Sequence, residues 1–256
     1  MGKETESSTE ICGVVHSSQM FYRHKEYYMK KIFPIISLIL AVAGGFFLHV
    51  VLHPTIIKSV VNTDTTAIVQ ASIRNLECQL ISADIEMIGT EIGLSQRQQR
   101  EYVRYIDSAA TKYKLPPILL HAIIYIESSY DPNARHSQIY VNKKSTFAIG
   151  LAGVVWEYHA DSLKNAGIAV SRLELTEPQV NVMAAAYILH NYIVSILNTK
   201  SNLPESRLFD ELIRKYYGAY DDYYKERMLT RIRDTASKQW IKRVTQDIFL
   251  EFRGNK

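Results

Sequence analysis

Apolar positions recur every three to four residues along most of this chain, a period that predicts helices almost throughout. Residues 32–52, IFPIISLILAVAGGFFLHVVL, contain no Asp, Glu, Lys or Arg. That is about the ~20 residues a helix needs to cross a bilayer. Across 53–97, Val60, Val61, Ile68, Val69, Ile73, Leu76, Leu80, Ile81, Ile85 and Ile88 suggest an amphipathic stalk helix, whose default place is against the main domain, with Gly89 and Gly93 breaking the pattern. Gln98–Tyr113 is amphipathic. A double proline then opens Ile118–Ile126, apolar except for His121 and Tyr125, so this helix is expected to be buried nearly all round. Residues 137–149 read as a loop or small hairpin, and Asp161–Asn165 as a short helix ended by Gly167. Glu177–Leu197 is long and apolar, with Ala184–Ala186 suited to close helix packing, and Leu208–Tyr217, Tyr223–Thr235 and Ser237–Phe252 complete the helices. The expected fold class is all-α, with at most a small hairpin.

The flanks of the apolar run set an orientation. Residues 23–31 carry four Lys/Arg against one Glu, while the far side has only Lys58 and Asp64 nearby. The positive-inside rule puts residues 1–31 in the cytoplasm and everything after residue 52 outside it. Ala41-Val42-Ala43 also resembles a signal-peptidase site, but the apolar run continues to Leu52 behind a long charged leader. The reading taken is an uncleaved single-pass anchor in the inner membrane. The domains expected are a tail at 1–31, a transmembrane anchor at 32–52, a stalk at 53–96 and a main domain at 97–256.

Composition adds little. A net charge of +4 gives no case for nucleic acid. Cys12 and Cys78 imply no disulfide framework. Nucleotide-binding glycine loops, H-E-x-x-H and G-x-S-x-G are absent. Widely spaced histidines (His121, His136, His159 and His190) argue against a metal, and no cofactor is expected. Seventeen tyrosines are many, and their rings suit sugar stacking as well as ordinary packing. Candidate chemistry centres on Glu127, a carboxylate ending an apolar helix, where desolvation raises a pKa as a general acid requires. Asp131 heads an Asp-Pro-Asn turn and reads as a backbone cap; Glu157 is the remaining candidate for a second carboxylate. Basic residues over 225–243 read as a solvated helix face.

Four blocks, covering roughly residues 100–235, resemble the soluble lytic transglycosylase family of lysozyme-like, peptidoglycan-cutting enzymes. They are ESSYDPNA at 127–134, AIGLAG at 148–153, EPQVNVMAAAYIL at 177–189 and YYGAY at 216–220. The resemblance implies that Glu127 is catalytic, first as acid and then as base. It would cleave the bond between N-acetylmuramic acid and N-acetylglucosamine without water and leave 1,6-anhydromuramyl ends. By the same resemblance, Ser128, Gly150, Leu151, Asn181, Tyr187, Tyr216 and Tyr217 are expected around the substrate. Asn181 and a tyrosine near 216 would bind the N-acetyl group or stabilise the developing positive charge, and Ser128 would position Glu127. Two departures stand out: Ala152-Gly153 replaces the family's Met-Gln, and Tyr217 stands where Asn is expected. The partners implied are peptidoglycan strands, the inner membrane through 32–52, and proteins of an envelope-spanning assembly. The alternatives are a water-using lysozyme and a non-catalytic peptidoglycan-binding scaffold.

Overall fold

A computed structural model describes residues 64–254 except 135, 137, 201, 219, 220, 238, 239 and 242. The expected cytoplasmic tail, the apolar run 32–52 and the first part of the stalk lie outside the described residues. Two compact units divide the chain, Met1–Ala67 and Ile68–Lys256, and the second holds nearly all that follows.

In order, the elements are α1 (Asp64–Ile92), α2 (Gln96–Tyr113), α3 (Pro117–Ser128), β1 (Gln138–Val141), β2 (Lys144–Phe147), α4 (Trp156–Asn165), a 3₁₀ turn (Leu173–Thr176), α5 (Pro178–Lys200), α6 (Glu205–Tyr217), α7 (Asp222–Thr235), a π turn (Arg243–Asp247) and α8 (Ile248–Gly254). The strands form one antiparallel hairpin, with Gln138 opposite Phe147 and Val141 opposite Lys144. This is the helical, lysozyme-like class that the sequence suggests.

Local signals set the helix ends. Ser95 caps α2 in a capping box with Gln98, which satisfies otherwise orphaned N–H groups. Pro117 stands in the first turn of α3, where no N–H is needed. Ile118, Leu119, Leu120, Ile123 and Ile124 of α3 are buried, each worth roughly 2 kcal/mol of transfer free energy. Long α5 packs against α2 and α6, and Ala184, Ala185 and Ala186 are fully buried on it. Among the described residues α5 alone is long and apolar enough to cross a membrane, yet it is a core helix of the unit.

Three differences from expectation have physical causes. Gly89 does not end α1, which runs on to Ile92. The absent side chain admits Gln99, whose amide a Cβ there would meet at 2.7 Å. Trp156–Asn165 is twice the short helix expected, beginning where Val155 leaves extended geometry. The final helical region is interrupted by the π turn. Helix α1 lies in the same core as the main domain, with Ile81, Ile85 and Ile88 packed inside it, so the compact unit begins well before residue 97.

Candidate active site

The carboxylate of Glu127 stands in the last turn of α3, its side chain 18% exposed. Two consecutive residues with positive φ, Ser129 at 49° and Tyr130 at 68°, turn the chain sharply after it. Asp131 Oδ1 accepts the Asn133 N–H at 2.8 Å, an Asx turn that continues the bend.

The AIGLAG block forms a tight loop beside the acid. Ile149 and Val154 exchange both backbone hydrogen bonds, at 2.9 and 3.0 Å. Gly153, with φ +63°, faces the carboxylate so closely that a Cβ would lie 2.6 Å from Glu127 Oε2. The glycine that replaces the family's Gln is therefore what lets the acid rest on the loop. Gly150, with φ +70°, packs on the Asn181 amide with equal closeness.

Two partners flank the acid. Tyr224, from the first turn of α7, donates its hydroxyl to Glu127 Oε1 at 2.7 Å. On the other side His136 Nδ1 stands 3.7 Å from Oε2, while His136 Nε2 is 2.9 Å from the Gly150 carbonyl. A carbonyl only accepts, so Nε2 carries a proton, and Nδ1 is the ring atom that faces Glu127. Burial pushes the Glu127 pKa above the ordinary carboxylate range, against the opposing Tyr224 hydrogen bond and the positive charge of His136 and Arg227. The acid is thus biased toward holding a proton, as a general acid needs.

The other sequence-predicted residues divide into those near the acid and those that build the frame. Tyr216 donates to the Ala152 carbonyl at 2.7 Å, and the negative charge of Glu127 helps hold its phenol protonated, after burial. Tyr217 is 47% exposed and stacks on Tyr224, the hydrogen-bond partner of the acid, with ring centroids 4.4 Å apart. Leu151 is buried in the core. Asn181 is wholly buried. Its Oδ1 accepts the Ala152 N–H at 2.8 Å, and its Nδ2 donates to Ile149 and Leu175 carbonyls at 2.8 and 3.0 Å. With both donors and the acceptor engaged by backbone, its amide holds the loop in place of an N-acetyl group. Ser128 likewise bonds the Ile124 carbonyl and the Tyr130 N–H, tying the bend instead of the carboxylate. Tyr187 packs edge-on against Tyr113.

Tyr224 escaped sequence reasoning, although it makes the closest contact to the acid. The available signal was Asp221, which caps α7 by accepting the Tyr223 and Tyr224 N–H groups at 2.8 and 3.2 Å and so aims the first turn. Glu157 pairs with Arg172 at 3.9 Å. Among the described residues no cluster of His, Cys, Asp and Glu is arranged to hold a metal.

A buried-edge acid thus stands at the end of a core helix, facing a glycine loop and a tyrosine. Residues 104–221 match the family model of the transglycosylase SLT domain, and such a domain indicates a peptidoglycan-acting function of lytic-transglycosylase type. No curated protein and no solved structure gives a significant match to the chain.

Proposed function

We propose that the protein is a membrane-anchored lytic transglycosylase in which Glu127 serves twice. The observation that supports this most directly is the Glu127 carboxylate itself, bonded by Tyr224, seated on Gly153 and held above its ordinary pKa by burial. Most glycosidases pair two acids. Of the two other candidates here, Asp131 is engaged in its Asx turn and Glu157 pairs with Arg172.

Tyr224 occupies Oε1, so the transferable proton rides on Oε2. Protonated Glu127 gives that proton to the glycosidic oxygen as the C1–O bond of the muramyl residue breaks. The carboxylate then takes the proton of the muramyl C6 hydroxyl while O6 bonds to C1. A 1,6-anhydro end forms, Glu127 returns to its starting state and no water is consumed. The half-exposed ring of Tyr217 is suited to stack on a sugar ring. Residues 32–52 would hold the domain at the inner membrane and outside the cytoplasm, an arrangement that suits local cutting of the wall for an envelope-spanning assembly.

The test uses the full-length protein in detergent and its Glu127→Gln variant with purified peptidoglycan, the products weighed by mass spectrometry. Anhydromuramyl ends from the parent, reduced about 1,000-fold in the variant, are expected, within the range that general acid–base catalysis supplies. Products heavier by one water would mean a hydrolytic lysozyme. Protein that sediments with sacculi and releases nothing would mean a binding scaffold.

A further inference from the structure

Polar side chains in a helix core normally need a reason, because burial without full pairing is costly. Five such residues meet here, four of them buried and the fifth, Arg231, with 13% of its side chain exposed. Asp84 of α1, 2% exposed, stands 2.8 Å from His121 Nε2 and accepts the Thr235 hydroxyl at 2.7 Å. Arg231 of α7 is ion-paired with the same Asp84 oxygen at 2.6 Å. The other nitrogen of the His121 ring lies 2.6 Å from the Tyr130 hydroxyl.

The protonation pattern is self-consistent. Burial alone would raise Asp84, but His121, Arg231 and Thr235 outweigh it and hold the carboxyl below its ordinary range. Burial also keeps His121 neutral and Tyr130 protonated. So Tyr130 donates to Nδ1, Nε2–H donates to Asp84, and the one negative charge faces the one guanidinium.

The network touches both helices that build the site. On α3 and its exit, His121 and Tyr130 lie on either side of Glu127 in sequence. On α7, Tyr224, Met228, Arg231 and Thr235 recur every three to four residues and share one face. The two helices meet in reverse order: Glu127 with Tyr224, the Tyr125 ring under Arg231 at 3.6 Å, and His121 with Thr235 at 3.1 Å. Asp84, Tyr224, Arg231 and Thr235 all fall outside residues 104–221. A buried ion pair is weak evidence for stability, since apolar replacements often serve as well or better. What it supplies that they would not is a fixed register.

We propose that Asp84 is a positioning residue for Glu127. Through His121 and Tyr130 it fixes the helix end that carries the acid, and through Thr235 and Arg231 it fixes the helix face that presents Tyr224. This rests on the reading of Glu127 as the reacting acid. Helix α1, which lies ahead of the matched domain, is on this view part of the catalytic machine.

The test is a double-mutant cycle on the full-length protein, with kcat and KM for anhydromuramyl release measured across pH. The groups facing Glu127 in that profile are Tyr216, Tyr224, His136 and Arg227. Tyr224→Phe removes a hydrogen bond that lowers the Glu127 pKa, so its alkaline limb should move to higher pH and kcat should fall about tenfold. Asp84→Asn should shift the limb the same way with KM nearly unchanged, and should add nothing in the Tyr224→Phe background. Thr235→Val, which keeps the side-chain shape, should give the same shift in weaker form and serves if Asp84→Asn does not fold. Fully additive losses, or a normal pH profile in both Asp84→Asn and Thr235→Val, would overturn the proposal. Undiminished activity in Glu127→Gln would instead overturn the reading on which it rests.

Discussion

Two carboxylates sit at the junction of α3 and α7, and their surroundings drive them in opposite directions. Glu127 has one firm hydrogen bond and is held above its ordinary pKa. Asp84 has an imidazole N–H, a hydroxyl and a guanidinium, and is held below. Burial acts on both; the count and charge of partners decide the outcome. Pairs of groups pushed apart in this way mark a division of labour between proton exchange and fixed charge. The under-partnered acid is the one we propose reacts.

The largest expected effect separates them by stability. Asp84→Ala leaves the Arg231 guanidinium buried without its counter-charge and should cost about 3–5 kcal/mol, a fall of about 10 °C in Tm for a unit of this size. Glu127→Gln should leave Tm at pH 8 unchanged or slightly raised, because it removes a carboxylate whose ionisation folding opposes. Calorimetry on the two variants checks this, and equal losses would erase the contrast.

A smaller effect is expected at the loop. Gly153→Ala places a Cβ against Glu127 Oε2 in a left-handed backbone, costing about 1–2 kcal/mol for the conformation. The carboxylate must then swing off Tyr224, so kcat should fall about tenfold. Activity and Tm of this variant, measured together, distinguish displaced acid from a merely weakened loop.

The smallest effect is the response of the parent to acid. Asp84 is depressed, so its contribution is present above the unfolded carboxylate pKa and is lost as pH falls through the folded one. His159, packed against Tyr192, is pushed down by burial to about 4. Its contribution, present above about 6.5, drains away as pH drops toward about 4. Stability should therefore decline on acidification from about pH 6.5, and His159→Phe should flatten the first part of that decline in a Tm-against-pH series.

How much of this was legible beforehand follows from how local each feature is. The double proline and apolar run announced α3, and the Asp-Pro-Asn turn announced the Asx turn, because neighbours in sequence create them. The acid itself was visible as the charge that ends that run. Tyr224 was not, because it comes from a helix 97 residues further on and no periodicity records which helices meet. Asn181 and Ser128 were identified as important positions, but whether an amide or hydroxyl faces substrate or backbone depends on packing. Arg231 looked like one more charge on a solvated face, since only α1 reveals its partner.

The reverse-order pairing of α3 with α7 also dictates when, during synthesis, the surroundings of Glu127 are complete. Glu127 waits for Tyr224, and Asp84 for Thr235, 151 residues away. Contacts of such separation form late, and a chain made from its N-terminus offers them last. A partly emerged or prematurely ended chain then carries the acid without its setting. The setting of Glu127 is therefore complete only once the chain as far as Thr235 has been made.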